Sequence, residues 1–338
     1  MFIVIIIQKR VLYNNYMKIL ITGCAGFIGF HLTKLITENS NVEVFGIDNL
    51  NTYYDVDLKK ARLKILKKNK NFKFERIDIT NEKKLSSSFS KNSYTHVIHL
   101  AAQAGVRYSI ENPETYVQSN LVGFFNVLNL SSKFKIEHFL FASTSSVYGS
   151  SKKFPLNENL KTDSPLSFYA ATKKSNELMA YSYSNIHKLP CTALRFFTVY
   201  GPYGRPDMAL FLFTEAILNN KKVNLNNSGK HIRDFTYIED VIDAIQKMIK
   251  KPSKKNIPFE VYNVTGSNPK KLKYFLSIIE KNLQKKAKIF NRPLQKGDVF
   301  KTYGDNKKLK KISNFSAKFP IEVGIKNFLE WFKDYYNK

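Results

Sequence analysis

The feature that most restricts the fold of this chain lies within its first fifty residues. Lys18-Ile-Leu-Ile-Thr22 reads as a short buried strand, and Gly23-Cys-Ala-Gly26-Phe27-Ile28-Gly29 follows at once. The apolar spacing from His31 then reads as a helix, and Val42–Ile47 as a second strand ending at Asp48. In such a unit the first glycine permits a tight turn, the second a close approach of a pyrophosphate, and the third close packing of helix on strand. The N-terminus of the helix offers unpaired N–H groups to phosphate. An acid about 20 residues past the last glycine accepts hydrogen bonds from a ribose diol. It also repels a 2′-phosphate, so Asp48 favours NAD over NADP. An ordinary strand–helix turn would account for the glycines, but not for the acid in register with them.

Alternation of strand and helix continues to about residue 200. Strands are expected at 72–77, 95–100, 137–142 and 191–196, and helices near 56–69, 81–90, 113–133 and 166–187. This pattern implies an α/β fold, a Rossmann-type doubly wound parallel sheet covered on both faces. Residues 17–200 are expected to form the dinucleotide-binding domain, with segments around 231–265 returning to it. Residues 201–338, with shorter elements and more loops, are expected to form mainly a smaller C-terminal substrate-binding domain closing over the carboxyl edge of the sheet.

The formal charge of +27 invites a nucleic-acid reading. The lysines are scattered along the chain, however, and no zinc-ligand or RNP-like pattern accompanies them. The expectation is a solvated basic surface that helps to draw in an anionic nucleotide, with no nucleic-acid partner. Cys24 and Cys191 are too few for a disulfide framework and read as space-filling thiols in a reducing compartment. The six histidines show no metal spacing, and His96 and His99 sit at an odd offset on one strand, so no metal is expected. Phe2–Ile7 is too short to span a bilayer and is interrupted by Gln8-Lys9-Arg10. It also lacks the charge and cleavage site of a secretory signal. Because Met17 directly precedes the first strand, residues 1–16 are expected to be an untranslated or disordered extension. The expected location is cytoplasmic, without membrane attachment.

Two further stretches carry chemistry. Phe139-Leu-Phe-Ala142 runs into Ser143-Thr144-Ser145-Ser146, which places hydroxyls at the carboxyl end of a strand, where open α/β sheets bind ligands. Tyr169-Ala-Ala-Thr-Lys173 sets a phenol and an ammonium one helical turn apart on one face. A free tyrosine, with a pKa of about 10, is a poor base at neutral pH, and a neighbouring cation favours its phenolate. Alone, this spacing occurs on many solvated helices. Together with Thr144 and the glycine turn it makes a hydroxyl–phenol–ammonium set beside a dinucleotide site.

With these stretches in view, the chain resembles the extended short-chain dehydrogenases/reductases, and among them the nucleotide-sugar 4-epimerases. The resemblance rests on Gly23–Gly29, His99–Ser109, Asn112–Leu121, Phe168–Met179, Arg195–Met208 and Arg233–Asp240, and it spans residues 17 to about 335. It implies a tightly held NAD that takes a hydride from C4 of a UDP-linked sugar and returns it to the opposite face. Tyr169 is then the base, Thr144 a hydrogen-bond partner of the same oxygen, and Lys173 a holder of the cofactor ribose. The resemblance carries cofactor contacts to Gly23, Gly26, Phe27, Ile28, Gly29, Asp48, Asn49, Asp78, Ile79, Leu100, Ala101, Ala102 and Asn120, the last of which reads equally as a helix-packing amide. It carries substrate contacts to Arg107, Ser145, Ser146, Thr198, Arg205, Arg233, Gln295 and Asp298.

Within the family the chain is most like the branch that interconverts UDP-glucuronate and UDP-galacturonate. Related dehydratases and decarboxylases carry an acid just after the threonine, where this chain has Ser145 and Ser146. A 4-keto-hexuronate readily loses CO₂, so its carboxylate must be held, and Thr198 and Arg205 are the expected holders. A surface ion pair between Arg205 and Asp207 is the plainer reading of that arginine. Gln295 stands where many neutral-sugar epimerases have arginine, and Tyr203 where the uronate branch has tryptophan. The competing readings are an epimerase of UDP-glucose or UDP-N-acetylglucosamine, a dehydratase or decarboxylase of the same family, and a non-catalytic NAD- or nucleic-acid-binding protein. The resemblance further implies a homodimer formed through the helices near 113–133 and 166–187.

Overall fold

The structure is a computed structural model that describes residues 17–38, 41–295 and 297–338; the expectations for residues 1–16 lie outside these. Seven strands form one sheet: β1 (Met17–Thr22), β2 (Val42–Ile47), β3 (Phe72–Glu75), β4 (His96–His99), β5 (His138–Thr144), β6 (Cys191–Phe196) and β7 (Phe259–Val264). Their order is β7-β6-β5-β4-β1-β2-β3, and every pair is parallel. Strands buried on both faces read as continuous apolar runs, and all six residues of β6 are buried. Successive side chains serve opposite faces: Ile19 and Ile21 join one apolar core, Leu20 the other. The doubly wound parallel sheet expected from the alternation is therefore present.

Strand order reverses between β1 and β4, so the loops leaving their carboxyl ends diverge and open a crevice. Helix α1 (Phe27–Thr37) starts four residues before the apolar spacing suggests, directly after the glycine turn. The expected helix at 113–133 is broken into a short turn at Pro113–Tyr116, a π-helical turn at Val117–Val122 and a regular helix at Gly123–Lys133. The wide turn presents Asn120 inward, where its amide accepts from Gln103 N at 2.8 Å and donates to Gln103 O at 3.0 Å and Thr172 Oγ1 at 3.1 Å.

Beyond residue 200, Lys222–Asn226 and Lys288–Arg292 pair as a separate two-stranded sheet. Helices Ala209–Leu218 and Leu272–Leu283 pack against each other nearby. The chain returns to the large sheet through β7, and helix Ile238–Ile249 packs on α1. No helix among the described residues is long and apolar enough to cross a membrane.

Candidate active site

The crevice is shaped first by backbone. Gly23 has φ +74°, and a Cβ there would lie 2.7 Å from Ala101 N, so only glycine lets the turn after β1 meet the turn after β4. A Cβ on Gly29 would lie 2.1 Å from Gly23 O, so the first turn of α1 can tuck onto the loop only without one. Gly26 precedes α1 and supplies no side-chain cap, which leaves first-turn N–H groups facing the crevice. At the end of β2, Asp48 Oδ2 accepts from Ala25 N at 3.1 Å and Oδ1 from Leu50 N at 2.8 Å. Burial pushes its carboxyl up, against the pull of these hydrogen bonds and of Lys59 and Arg62. Each oxygen keeps lone-pair capacity for a diol.

Asn49 Nδ2 donates to Asp78 Oδ2 at 2.8 Å, and Thr80 donates twice to Asp78 Oδ1. Burial raises the Asp78 carboxyl, but these hydrogen bonds outweigh it and hold it below its ordinary value. The glycines, Phe27, Ile28, Asp48, Asn49, Asp78, Ile79, Leu100, Ala101 and Ala102 all line this crevice. A pyrophosphate and a free ribose diol fit such a set. Asn120 is the exception among the expected cofactor contacts. It is buried and spent on the Gln103 backbone, so it shapes the floor of the crevice without facing it.

The catalytic candidates meet at one end of the crevice. Ser167 caps helix Phe168–His187 by accepting from Ala170 N at 3.2 Å, which puts Tyr169 in the first turn. Lys173 lies one turn on and Glu177 two turns on. Buried Glu177 accepts from Ser143 Oγ at 2.6 Å and from Arg195 Nε and Nη2 at 2.8 Å each, which pins the helix to β5 and β6 beside Thr144. Nothing in the spacing of Tyr169 and Lys173 pointed to this anchor. Thr144 Oγ1 accepts from Ser146 N at 3.1 Å and donates to Ser146 Oγ at 3.2 Å, beside the Tyr169 phenol.

One electrostatic expectation needs correction. Burial pushes the Tyr169 phenol above its ordinary value, and the two groups pulling it back are Arg205 and Thr144, not Lys173. Lys173 is itself buried and donates from Nζ to Ala142 O at 3.0 Å. Desolvation lowers it to about 8.

A second cavity, about 790 Å³, adjoins the crevice, and Tyr53, Thr144, Tyr169, Phe197, Arg205 and Met208 line both. Arg107, Ser145, Ser146, Thr198, Arg233, Gln295 and Asp298 all line the larger one. The arginines of this cavity already have partners. Arg107 Nη2 meets Asp298 Oδ2 at 3.1 Å, and Arg233 Nη1 donates to Phe300 O at 3.2 Å. Arg205 gives Nε and Nη2 to Asp207 at 3.0 and 2.5 Å, so the plain ion-pair reading of that arginine is realised. Tyr203 lines neither cavity; it packs against Phe30 and Trp331. Sequence reading missed Tyr53, Tyr54, Lys59 and Arg62, because nothing in the local pattern of Asn51–Arg62 shows that this stretch folds over the crevice.

A doubly wound sheet with a glycine turn, an acid after β2 and a Thr–Tyr–Lys set at the switch point defines a short-chain dehydrogenase/reductase of the extended kind. The family model described as GDP-mannose 4,6 dehydratase matches residues 20–328, and the chain belongs to that family of nucleotide-sugar-modifying enzymes. It is 46% identical to Protein CapI of Staphylococcus aureus, over 95% of this chain and 100% of that one. It is 43% identical to the UDP-glucuronate 4-epimerase of Thermodesulfobacterium geofontis, over 93% and 96%. Among solved structures, the UDP-glucuronic acid 4-epimerase of Bacillus cereus, in complex with UDP-glucuronic acid and NAD, superposes with a TM-score of 0.89. That pair shares 34% identity, with 95% of this chain and 100% of the other covered.

Proposed function

We propose that this protein is an NAD-dependent 4-epimerase that interconverts UDP-glucuronate and UDP-galacturonate. The observation that carries the reading is the junction of the two cavities: Tyr169, Thr144 and Arg205 line both, and Lys173 lines the cofactor crevice beside them. The relatives named as UDP-glucuronate 4-epimerases support the choice of sugar.

NAD would be held by the turn Gly23–Gly29, by Asp48 and Asn49, by Asp78, and by the close backbone of Leu100–Ala102. When bound, it supplies the hydride acceptor and donor. Tyr169 Oη holds and moves the proton of the sugar 4-hydroxyl. Thr144 Oγ1, steered by Ser146, hydrogen-bonds the same oxygen as its charge develops. Lys173 Nζ, fixed on Ala142 O, is placed to reach a ribose hydroxyl. The positions after Thr144 offer hydroxyls rather than a carboxylate, so no second acid is at hand there to divert the keto sugar. Arg205, Thr198 and the two serines hold the uronate carboxylate away from the alignment needed for loss of CO₂; a guanidinium suits this because it grips a carboxylate in two places. Arg233 faces the diphosphate, and Asp298 and Gln295 the nucleoside.

A cytoplasmic enzyme and a homodimer belong to this reading. Val122 and Phe125 on one helix, and Leu178 and Tyr181 on the other, are exposed on the pair of helices expected to meet a second copy. Proton NMR of UDP-glucuronate with the purified enzyme tests the function: UDP-galacturonate should appear until the two sugars equilibrate. Arg205→Gln should lower uronate turnover at least tenfold more than turnover of UDP-glucose. Equal losses on both sugars would refute the uronate assignment.

A further inference from the structure

Arg205 does not stand by itself at the wall between the cavities. Asp207 takes its Nε and Nη2 edge, which leaves the Nη1 side as the part of the fork that Asp207 does not engage. Asp207 in turn accepts from the Tyr53 hydroxyl at 3.0 Å. Tyr53 belongs to the stretch after β2, 154 residues earlier in the chain, and lines both cavities. Tyr53 and Arg205 meet over Gly105, which has φ +111°. A Cβ there would lie 2.8 Å from Tyr53 Oη and 3.8 Å from Arg205 Nη2, so the backbone has been thinned where the group assembles.

A second tie runs in parallel. Arg62, fully buried, donates from Nη1 to Ala25 O at 2.7 Å and to Tyr54 Oη at 2.8 Å, and from Nη2 to Tyr203 O at 2.6 Å. Among the described residues no carboxylate accepts from this cation. It spends its donors on the glycine turn, on the wall of the crevice and on the loop that carries Arg205. A cation buried at that cost and hydrogen-bonded to backbone carbonyls of two segments and to the Tyr54 hydroxyl of a third holds those segments at fixed spacing. The stretch 53–62 thus joins the cofactor turn to the arginine loop at two points.

We infer that Tyr53, Asp207 and Arg62 are positioning residues that set the Arg205 fork for a sugar carboxylate and make its placement depend on the cofactor side of the crevice. The inference rests on the uronate reading above. Its physical content is that a guanidinium with one edge already braced presents the remaining edge in a single orientation. A ligand carboxylate then binds without first having to immobilise a long side chain. A ligand with no carboxylate gains nothing from the brace.

The test uses the NAD-loaded enzyme and compares wild type with Tyr53→Phe, Asp207→Asn and Arg62→Lys. Calorimetry gives the affinities for UDP, UDP-glucose and UDP-glucuronate, and NMR gives KM and kcat. Tyr53→Phe removes one hydroxyl and should fold normally. It should weaken UDP-glucuronate about fivefold to tenfold and raise its KM to match, with UDP and UDP-glucose within twofold of wild type. Asp207→Asn should act in the same sense and more strongly, and Arg62→Lys should also reduce NAD retained through purification. UDP-glucuronate affinity unchanged in Tyr53→Phe, or all three ligands weakened alike, overturns the inference. Tighter UDP-glucuronate binding by Asp207→Asn overturns it too, since Asp207 would then be a competitor rather than a brace. If wild type epimerises UDP-glucose and not UDP-glucuronate, the uronate reading fails and the inference with it. Uronate turnover by wild type alongside indifferent variants sinks the inference alone.

Discussion

The two cavities that meet at Tyr169 are built in different ways. The cofactor crevice is mostly backbone and small residues, supplied by the turns at the ends of β1, β2 and β4. Its shape is fixed by contacts as tight as that of Gly29 against Gly23 O. The larger cavity is lined by charged side chains on loops far apart in sequence, and two of its arginines are already ion-paired: Arg107 with Asp298, Arg205 with Asp207. One half is rigid because the chain cannot pack otherwise. The other is held by ion pairs that a ligand must join or replace. The contrast separates the tight retention expected of a resident cofactor from the exchange expected of a substrate.

Four substitutions sharpen or break this contrast, taken from the largest expected effect downwards. Tyr169→Phe acts on the shared wall and should lower kcat by about 10³-fold, the usual order for a lost general base, while bound NAD and UDP affinity stay near wild type. NMR turnover and cofactor content measured on the same sample check both parts. Gly29→Ala acts on the rigid half. Its Cβ meets backbone rather than a flexible side chain, so a stability loss of about 3 kcal/mol is expected, together with loss of bound NAD. A variant that melts like wild type and still carries NAD would break the claim of rigidity.

Lys173→Met tests how far function strains the rigid half. Lys173 falls from its ordinary 10.5 to about 8 on burial. The unfolded chain therefore binds more protons than the folded one between those values, and stability rises with pH from about 8 to about 10.5. At pH 7 the buried charge costs on the order of 3 kcal/mol, at about 1.4 kcal/mol per unit. The methionine variant should thus melt higher at pH 7, lose that pH dependence, and be at least about 100-fold less active. Thermal melts at pH 7 and pH 10 decide the matter; a variant less stable at pH 7 would contradict it. The smallest effect belongs to Tyr203→Trp. This ring packs among Phe30, Trp331 and Tyr335, away from both cavities. KM for UDP-glucuronate should stay within twofold, with stability changed by less than about 1 kcal/mol.

How legible each half was in the sequence follows the same division. Glycines, a terminal acid and apolar strands work through local geometry, so Gly23, Gly29, Asp48 and the succession of β1 to β6 along the chain could be read from spacing. The broken helix at 113–133 could not. The π-helical turn exists because the Asn120 amide finds the Gln103 backbone, a partner 17 residues away that no helical period announces. The tie from Tyr53 to Asp207 spans 154 residues and was invisible for the same reason.

The sequence by itself determined the class of fold, the dinucleotide site and the presence of a phenol and an ammonium one turn apart, because backbone sterics and side-chain periodicity act over a few residues. Only the tertiary structure decided which cation acts on the phenol. Burial strips Lys173 of part of its hold on a proton, while Arg205, delivered by a loop 36 residues further along the chain than Tyr169, pulls on the phenol. Electrostatic influence depends on distance and desolvation in space, and neither is written in the spacing of residues along the chain.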